Sequence, residues 1–168
     1  MAGNLDAVKY KHTPEDAEAL AADLVPPSIM TDLADANWKT RLAALEEMSG
    51  WLEEGVEALD AEVVVRALAK RGWGEKNFQV RLTSSVQNLA LMVYICQVSA
   101  KLYGILTMLA QQCPSFGRSC VALCVPHLTE KLGDLKLKKP AGDALLACSE
   151  KTSLQLVLGQ GTFFLCLP

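Results

Sequence analysis

The residues of this chain that could do metal or acid–base chemistry are few, and they include two histidines and six cysteines. Cys120 and Cys124 lie four positions apart, so on a helix their thiols share one face. A zinc site needs about four ligands, and of the histidines only His127 lies near these thiols, whereas His12 lies in a polar leader. We therefore expect no metal site, and we expect His127 to pack or to cap a helix rather than to catalyse.

The paired carboxylates are equally poor candidates for catalysis. Glu46-Glu47 and Glu53-Glu54 lie on the helix face opposite an apolar stripe, where acidic side chains are usually just solvated. The chain has no glycine-rich phosphate loop and no HExxH, GxSxG or kinase motif. The sequence therefore predicts a binding module with no cofactor rather than an enzyme.

The composition indicates an all-α protein. Apolar residues make up 51% of the 168 residues, an ordinary globular balance. Ala, Leu, Glu and Lys dominate and favour helix, and no alternating run indicates a strand. The N-terminus has no signal-like apolar segment and no apolar run is long enough to cross a bilayer. We expect a cytoplasmic chain with reduced, buried thiols and no contact with membrane.

The charge is distributed unevenly along the chain. Residues 1–62 hold 14 acidic residues against four basic ones, and residues 63–168 hold 12 basic residues against five acidic ones. The basic part could attract nucleic acid, anionic lipid or an acidic protein. The basic residues are spread over several loops without a recognition motif, and aromatic residues are only 6%, so we expect no nucleic-acid binding.

Helical periodicity defines the elements. The clearest stripe begins at Trp38, where Asp35 or Asn37 can cap the helix, and Gly55 ends that helix. A second helix follows Asp60, and Pro126 lies inside a later one. The stripes consist of Trp38, Leu42, Leu45, Met48 and Leu52; of Val63, Val64, Ala67 and Leu68; of Val98, Leu102, Ile105, Leu106 and Leu109; and of Val121, Cys124, Val125, Leu128 and Leu132.

Helix, tight loop and helix repeat three times, which is typical of an α-solenoid of HEAT-like antiparallel helix pairs. Residues 80–97 are bracketed by a repeated Gln-Val and read as an insertion. Eighteen residues are five whole helical turns, so an inserted helix keeps the flanking faces in phase. Without these residues in the count, the pairs begin near 27, 60 and 99.

Three strings in this order resemble the TOG domain, the tubulin-binding HEAT array of the XMAP/chTOG microtubule polymerases. They are DANWKTRL at 35–42, GWGEKNFQ at 72–79 and EKLGDLKLKK at 130–139. The second and third strings fall where that family has its second and third intra-repeat loops. The resemblance covers about residues 24–79 and 98–156 and is nearest the third TOG domain of the animal array.

The resemblance implies that one edge of the solenoid, built from the loops inside the repeats, grips tubulin. Trp38 matches the tryptophan that packs on β-tubulin, with Lys39 beside it. Lys76 and Asn77 fall in the second loop. The third loop supplies basic partners for acidic tubulin. The implied contact residues are Trp38, Lys39, Lys76, Asn77, Lys136, Lys138 and Lys139.

The resemblance also implies a role in microtubule growth and spindle organisation, at microtubules, centrosome and spindle pole, within a parent holding several TOG domains in tandem. We expect a polar acidic linker at 1–25, a partial TOG domain of about three repeats at 26–158 and a non-family tail at 159–168. A complete TOG domain has about six repeats, so the loops that reach α-tubulin are missing here. The alternatives are a HEAT or armadillo-like scaffold for another protein, and a fragment that binds nothing.

Overall fold

The computed structural model describes residues 8–73 and 86–161 of the chain. These residues form α-helices connected by short loops and turns, with no strand within the described ranges. The helices are α1 (Pro14–Leu24), α2 (Pro27–Asp32), α3 (Trp38–Gly55), α4 (Ala61–Gly72), α5 (Val86–Gln112), α6 (Arg118–Glu130), α7 (Lys138–Lys151) and α8 (Leu154–Gly161).

The helices form two layers. Helices α3, α5 and α7 pack side by side in one layer, while α4 packs between α1 and α6, and α6 packs on α8, in the other. Within successive pairs, α2 contacts α3, α4 contacts α5 and α6 contacts α7. This is the predicted array of about three antiparallel pairs. The pairs begin at residues 27, 61 and 118, close to the predicted starts once the eighteen extra residues are discounted.

The predicted stripes face the interlayer core. Each helix turns its apolar residues toward its neighbours because no single pair can bury them alone. Helix α5 extends from Val86 through the boundary of the predicted insertion, so residues 86–97 lengthen the same helix. The most deeply buried large side chains include Met48, Leu52, Leu68, Leu102, Tyr103, Ile105, Leu106, Leu109 and Leu128.

The N-terminal segment is part of the packed array from residue 14, which differs from the linker expected there. Thr13 caps α1 by accepting a hydrogen bond from the Asp16 amide at 3.1 Å. Ala17 and Ala21 lie one turn apart on the buried face, and α1 packs on α4. These small residues form a narrow buried face on an otherwise acidic, exposed helix. The amino-acid composition of the segment therefore does not reveal that it packs.

A buried carboxylate, Glu62 in α4, joins this segment to the core. Its side chain is 1% exposed, and it accepts hydrogen bonds from the backbone amides of Lys11 (3.1 Å) and His12 (3.3 Å). Arg66 donates to it at 3.2 Å and the Ser119 side chain of α6 also binds it. Burial acts to raise the pKa of Glu62, but these donors together hold the pKa below its ordinary value.

Two further carboxylates hold the same region. Arg71 of α4 pairs with Glu18 of α1, and its hydrogen bond is the main reason that the pKa of Glu18 is lowered. Asp60 caps α4 through the Glu62 amide at 3.0 Å, as the sequence predicted. Burial opposes ionisation of Asp60, but the hydrogen bond from His12 and the other nearby donors lower its pKa.

The cysteines of the described ranges are thiols, most of them in the core. Cys113, Cys120, Cys124 and Cys148 are buried and Cys96 is half-buried. Burial raises the pKa of the Cys120 thiol to about 11 and that of Cys148 to about 12, and it also raises the pKa of Cys124. A protonated buried thiol packs as a small apolar side chain. No group of potential ligands within residues 8–73 and 86–161 could hold a metal ion.

Helix α8 is an element that the sequence reading did not assign. It packs on α6 and α7 through Leu156 and Val157, and a side chain at Gly161 would meet the Thr129 methyl group at 3.2 Å. Residues 159–161 thus continue the helix, and the assignment of 159–168 as a non-family tail stays a prediction. No helix in the described part of the chain is long and apolar enough to span a bilayer.

Replacing the buried carboxylate tests the connection between the N-terminal segment and α4. Glu62→Gln removes the charge that pairs with Arg66 and weakens the hydrogen bonds from two backbone amides. We expect the free energy of unfolding, measured by urea denaturation, to fall by about 2 kcal/mol. Glu57→Gln, at an exposed position, is the matched control, and an equal effect of both variants would contradict this role of Glu62.

The pH dependence of stability follows from the same carboxylates. Their pKa values are lower in the folded chain than the ordinary 4.5 of glutamate and 3.8 of aspartate. Their stabilisation is therefore fully present above these ordinary values and is lost as the pH falls through the lower folded-state values. We expect the free energy of unfolding to decline below about pH 4.5, and less steeply in Glu62→Gln. A decline of equal slope in that variant would count against the assignment.

Candidate protein-binding edge

The antiparallel pairs bring alternate loops to one edge of the array. The loop before α3 (residues 33–37), the start of the loop after α4 and the loop before α7 (residues 131–137) lie at this side, which we call the loop edge. The reversals at 56–60 and 113–117 lie at the opposite edge. There the Ser115 hydroxyl accepts from the Ala61 amide at 2.8 Å and donates to the Leu59 carbonyl at 2.7 Å.

The first loop is held by hydrogen bonds from its own side chains. Asn37 caps α3 by accepting from the Lys39 amide at 3.0 Å, and Asp35 accepts from the Asn37 amide at 2.6 Å. Arg41 reaches back to donate to the carbonyls of Asp35 (2.8 Å) and Ala36 (3.0 Å). Of the two predicted cap residues, Asn37 caps α3, whereas Asp35 binds the Asn37 amide within the loop and does not cap the helix.

Trp38 is the first residue of α3 and lies between the core and the solvent. Its ring is half-buried and packs against the core, above Leu42, Leu45 and the rest of the stripe. The Lys39 ammonium lies 5.6 Å from the ring centroid, within the range of a cation–π interaction. The apolar stripe predicts that Trp38 is a core residue, and the resemblance predicts that it lies at the binding edge. In the structure one part of the ring lies in the core and another part lies at the loop edge.

The second loop is anchored by an aromatic cluster at its start. Trp73 stacks on His127 with ring centroids 4.9 Å apart, and Tyr103 lies within hydrogen-bond distance of His127 Nε2, at 3.1 Å. His127 thus packs against two aromatic rings, as expected. The Trp73 indole nitrogen is buried without a hydrogen-bond partner among the described atoms. Lys76 and Asn77 lie outside the described residues.

The third loop is ordered by Asp134. The Asp134 carboxylate accepts from the Lys136 amide at 2.8 Å, and its carbonyl accepts from the Lys138 amide at 2.7 Å. Leu137 is 4% exposed and fastens the loop to the core. Lys136, Lys138 and Lys139 are all exposed, and Lys139 pairs with Asp143 at 2.8 Å. This contact raises the pKa of Lys139 through the hydrogen bond.

The sequence reading missed Leu135, which stands among these lysines. Its side chain is 94% exposed. In the string LKLKK the two leucines, Leu135 and Leu137, alternate with lysines and look equivalent. Only Leu137 enters the core. The signal that could have distinguished them is Asp134, because an aspartate that binds the amides two and three residues ahead forms a turn whose tip faces solvent.

The two edges differ in charge. The loop edge carries Lys39 in the first loop and the three exposed lysines of the third. At the opposite edge, a shallow hollow is lined by Glu53, Glu54 and Glu57. The exposed lysines of the loop edge can attract a partner with an acidic surface.

Comparison with known proteins finds relatives along most of the chain. It is 31% identical over 159 residues to Protein mini spindles of Drosophila melanogaster, an alignment that covers 92% of this chain and 7% of that protein. It is 32% identical over 139 residues to Protein MOR1 of Arabidopsis thaliana, covering 81% of this chain and 6% of that protein. The chain thus spans less than a tenth of the length of these relatives. No protein-family profile and no solved structure matches it.

The two layers and their loop edge define a HEAT-like α-solenoid that acts, as such arrays do, through an extended surface. Mini spindles and MOR1 are both members of the XMAP/chTOG family, and the alignments cover most of this chain. The chain belongs to this family, and the similarity supports a TOG domain.

The cap of α3 can be tested independently of any partner. Asn37→Ala removes the acceptor for the Lys39 amide and should lower the free energy of unfolding by about 1 kcal/mol. Asn37→Asp keeps an acceptor at the same position and should stay close to wild type. Thermal unfolding followed by circular dichroism measures both, and an alanine variant as stable as the aspartate variant would rule out the cap.

Proposed function

We propose that this chain binds the tubulin heterodimer through the loop edge and, within a longer protein, supports microtubule growth and spindle organisation. The observation that carries the proposal is the arrangement of that edge, where a partly exposed tryptophan and exposed lysines project from loops fixed by their own hydrogen bonds. Family membership supports tubulin as the partner. The role is that of a binding module rather than an enzyme.

Trp38 supplies the apolar part of the contact. Its ring is already fixed by the core and by the start of α3, so binding costs little side-chain entropy. Tryptophan is among the residues that most often dominate the binding energy of an interface. Lys39 lies over the ring and presents a positive charge at the same place.

The lysines supply the electrostatic part. Lys136, Lys138 and Lys139 are exposed on one ordered loop, and we assign Lys76 and Asn77 of the second loop to the same contact. Exposed charges of this kind speed association with an acidic partner more than they hold the complex together. We expect the interaction to weaken with rising ionic strength.

The proposal extends to the parent protein and its location. We propose that this segment is one of several TOG domains in tandem and that the parent acts at microtubules, centrosome and spindle pole. Linked modules bind a polymer more strongly than each alone. A partial array of about three pairs offers only part of the contact of a complete domain, so we expect this segment alone to bind weakly.

A scaffold for a protein other than tubulin is the second candidate. The observation in its favour is that the contact is not specific to tubulin, because a half-buried tryptophan with one lysine over its ring, on a helical solenoid, would suit many acidic protein surfaces. The two candidates differ in whether purified tubulin is sufficient for binding.

Co-elution of the chain with unpolymerised tubulin on size-exclusion chromatography tests the first candidate. Trp38→Ala should weaken binding tenfold or more, about 1.4 kcal/mol or greater. The double variant Lys136→Glu/Lys138→Glu should weaken it chiefly at low salt. Lys151→Glu makes the same kind of charge change at the end of α7 nearer the opposite edge and is the matched control.

Circular dichroism shows whether each variant keeps its helices. If the wild-type chain fails to bind tubulin, the result favours the second candidate, a scaffold for another protein. If Lys151→Glu weakens binding as much as the loop variants do, general charge rather than the loop edge drives the interaction.

A further inference from the structure

Leu135 is the most exposed large apolar side chain among the described residues, at 94%. It is held in an ordered turn, because the Asp134 carboxylate accepts from the amides of Lys136 (2.8 Å) and Leu137 (3.4 Å). The Asp134 carbonyl accepts two further amides as α7 begins. The exposure of Leu135 is therefore imposed by the fold of the loop.

The loop contains both a buried and an exposed leucine, with opposite roles. Leu137 is 4% exposed and secures the loop on the core. Leu135, two residues earlier, contributes nothing to that core. Leu132, at the other end of the loop, is also partly exposed at 38%, so the loop presents apolar surface on both sides of Asp134.

The charges around Leu135 indicate what could cover it. Lys136 and Lys138 are exposed beside it, and Lys131 precedes Leu132. Two acidic groups near it are engaged, Asp134 with the loop amides and Asp143 with Lys139. An apolar tip ringed by ammonium groups complements an apolar depression bordered by carboxylates on a protein surface.

We propose that Leu135 is a second apolar anchor of the loop edge, inserting into an acid-rimmed apolar depression on the same partner that Trp38 contacts. The inference rests on the proposed function and takes the tubulin heterodimer as the partner. The first and third loops precede α3 and α7, which are separated by α5 in one layer, so the anchors stand about 20 Å apart. Two anchors at that separation fix the orientation of the partner, which a single tryptophan cannot do.

The direct test replaces the anchor and measures tubulin binding by fluorescence anisotropy with the full chain. Leu135→Ser should weaken binding about tenfold. It should leave the thermal midpoint unchanged, because the side chain contacts no core. Leu154→Ser, at a leucine 61% exposed at the start of α8, makes the same substitution away from the edge and should bind as wild type.

A second pair of variants tests whether the turn presents the leucine. Asp134→Ala removes the acceptor for two loop amides and should weaken binding to a similar degree with Leu135 still present. Asp134→Asn retains a side-chain oxygen and should restore binding to within about twofold of wild type. A purely electrostatic role of Asp134 would give the two variants the same affinity, since both substitutions remove the same charge, and that result would contradict the turn as the cause.

The outcomes separate this inference from the proposed function. If the wild-type chain binds and Trp38→Ala weakens it but Leu135→Ser does not, the second anchor is wrong and the proposed function stands. If Leu154→Ser weakens binding as much as Leu135→Ser, general surface hydrophobicity explains the effect and the anchor is wrong. If the wild-type chain binds no tubulin, the proposed function fails, and the inference fails with it.

Discussion

The whole structure depends on one constraint, that no helix pair of this chain can bury its apolar face without a neighbour. Helices α4 and α5 have neighbours on both sides and contain the most continuous buried stripes. Side-by-side stacking of successive pairs satisfies this constraint, and it also determines where the loops lie. Because every pair is antiparallel, every second loop comes to the same edge. The candidate binding surface is thus a consequence of the way in which the core is buried.

The buried Glu62 shows how the array is completed at its N-terminal side. Its carboxylate joins the amides before α1 to a hydroxyl of α6, across α4. A buried charge costs desolvation free energy, and only a full set of donors offsets that cost. The donors come from the segment before α1, from α4 itself and from α6, so the carboxylate favours one arrangement of the layer over others. The leader is part of the fold because it supplies two of those donors.

Periodicity predicted the central helices well because a wide apolar face repeats over several turns. Val98 through Leu109 is such a face, and the structure buries all of its predicted members. Periodicity did not predict that α1 packs on the array, because Ala17 and Ala21 form a buried face too narrow to stand out among acidic residues. Periodicity failed for α8, whose few turns offer too short a pattern. Leu132, counted in a stripe, lies beyond the end of α6 and is partly exposed.

The candidate site was less predictable than the fold, since a side chain's exposure depends on contacts that sequence spacing does not contain. Trp38 heads a core stripe, and periodicity alone would bury it. The hydrogen bonds of Asp35 and Asn37 fix the loop so that helix α3 begins at Trp38. The Trp38 ring therefore lies at the margin of the core, where one part of it is exposed to solvent. A ring in this position is held rigidly by the core and is still partly accessible to solvent. A binding edge has to be both stably folded and accessible to a partner, and a partly buried side chain meets both requirements. The ordered turn at Asp134 does the same for the third loop, because it exposes Leu135 to solvent and buries Leu137 in the core.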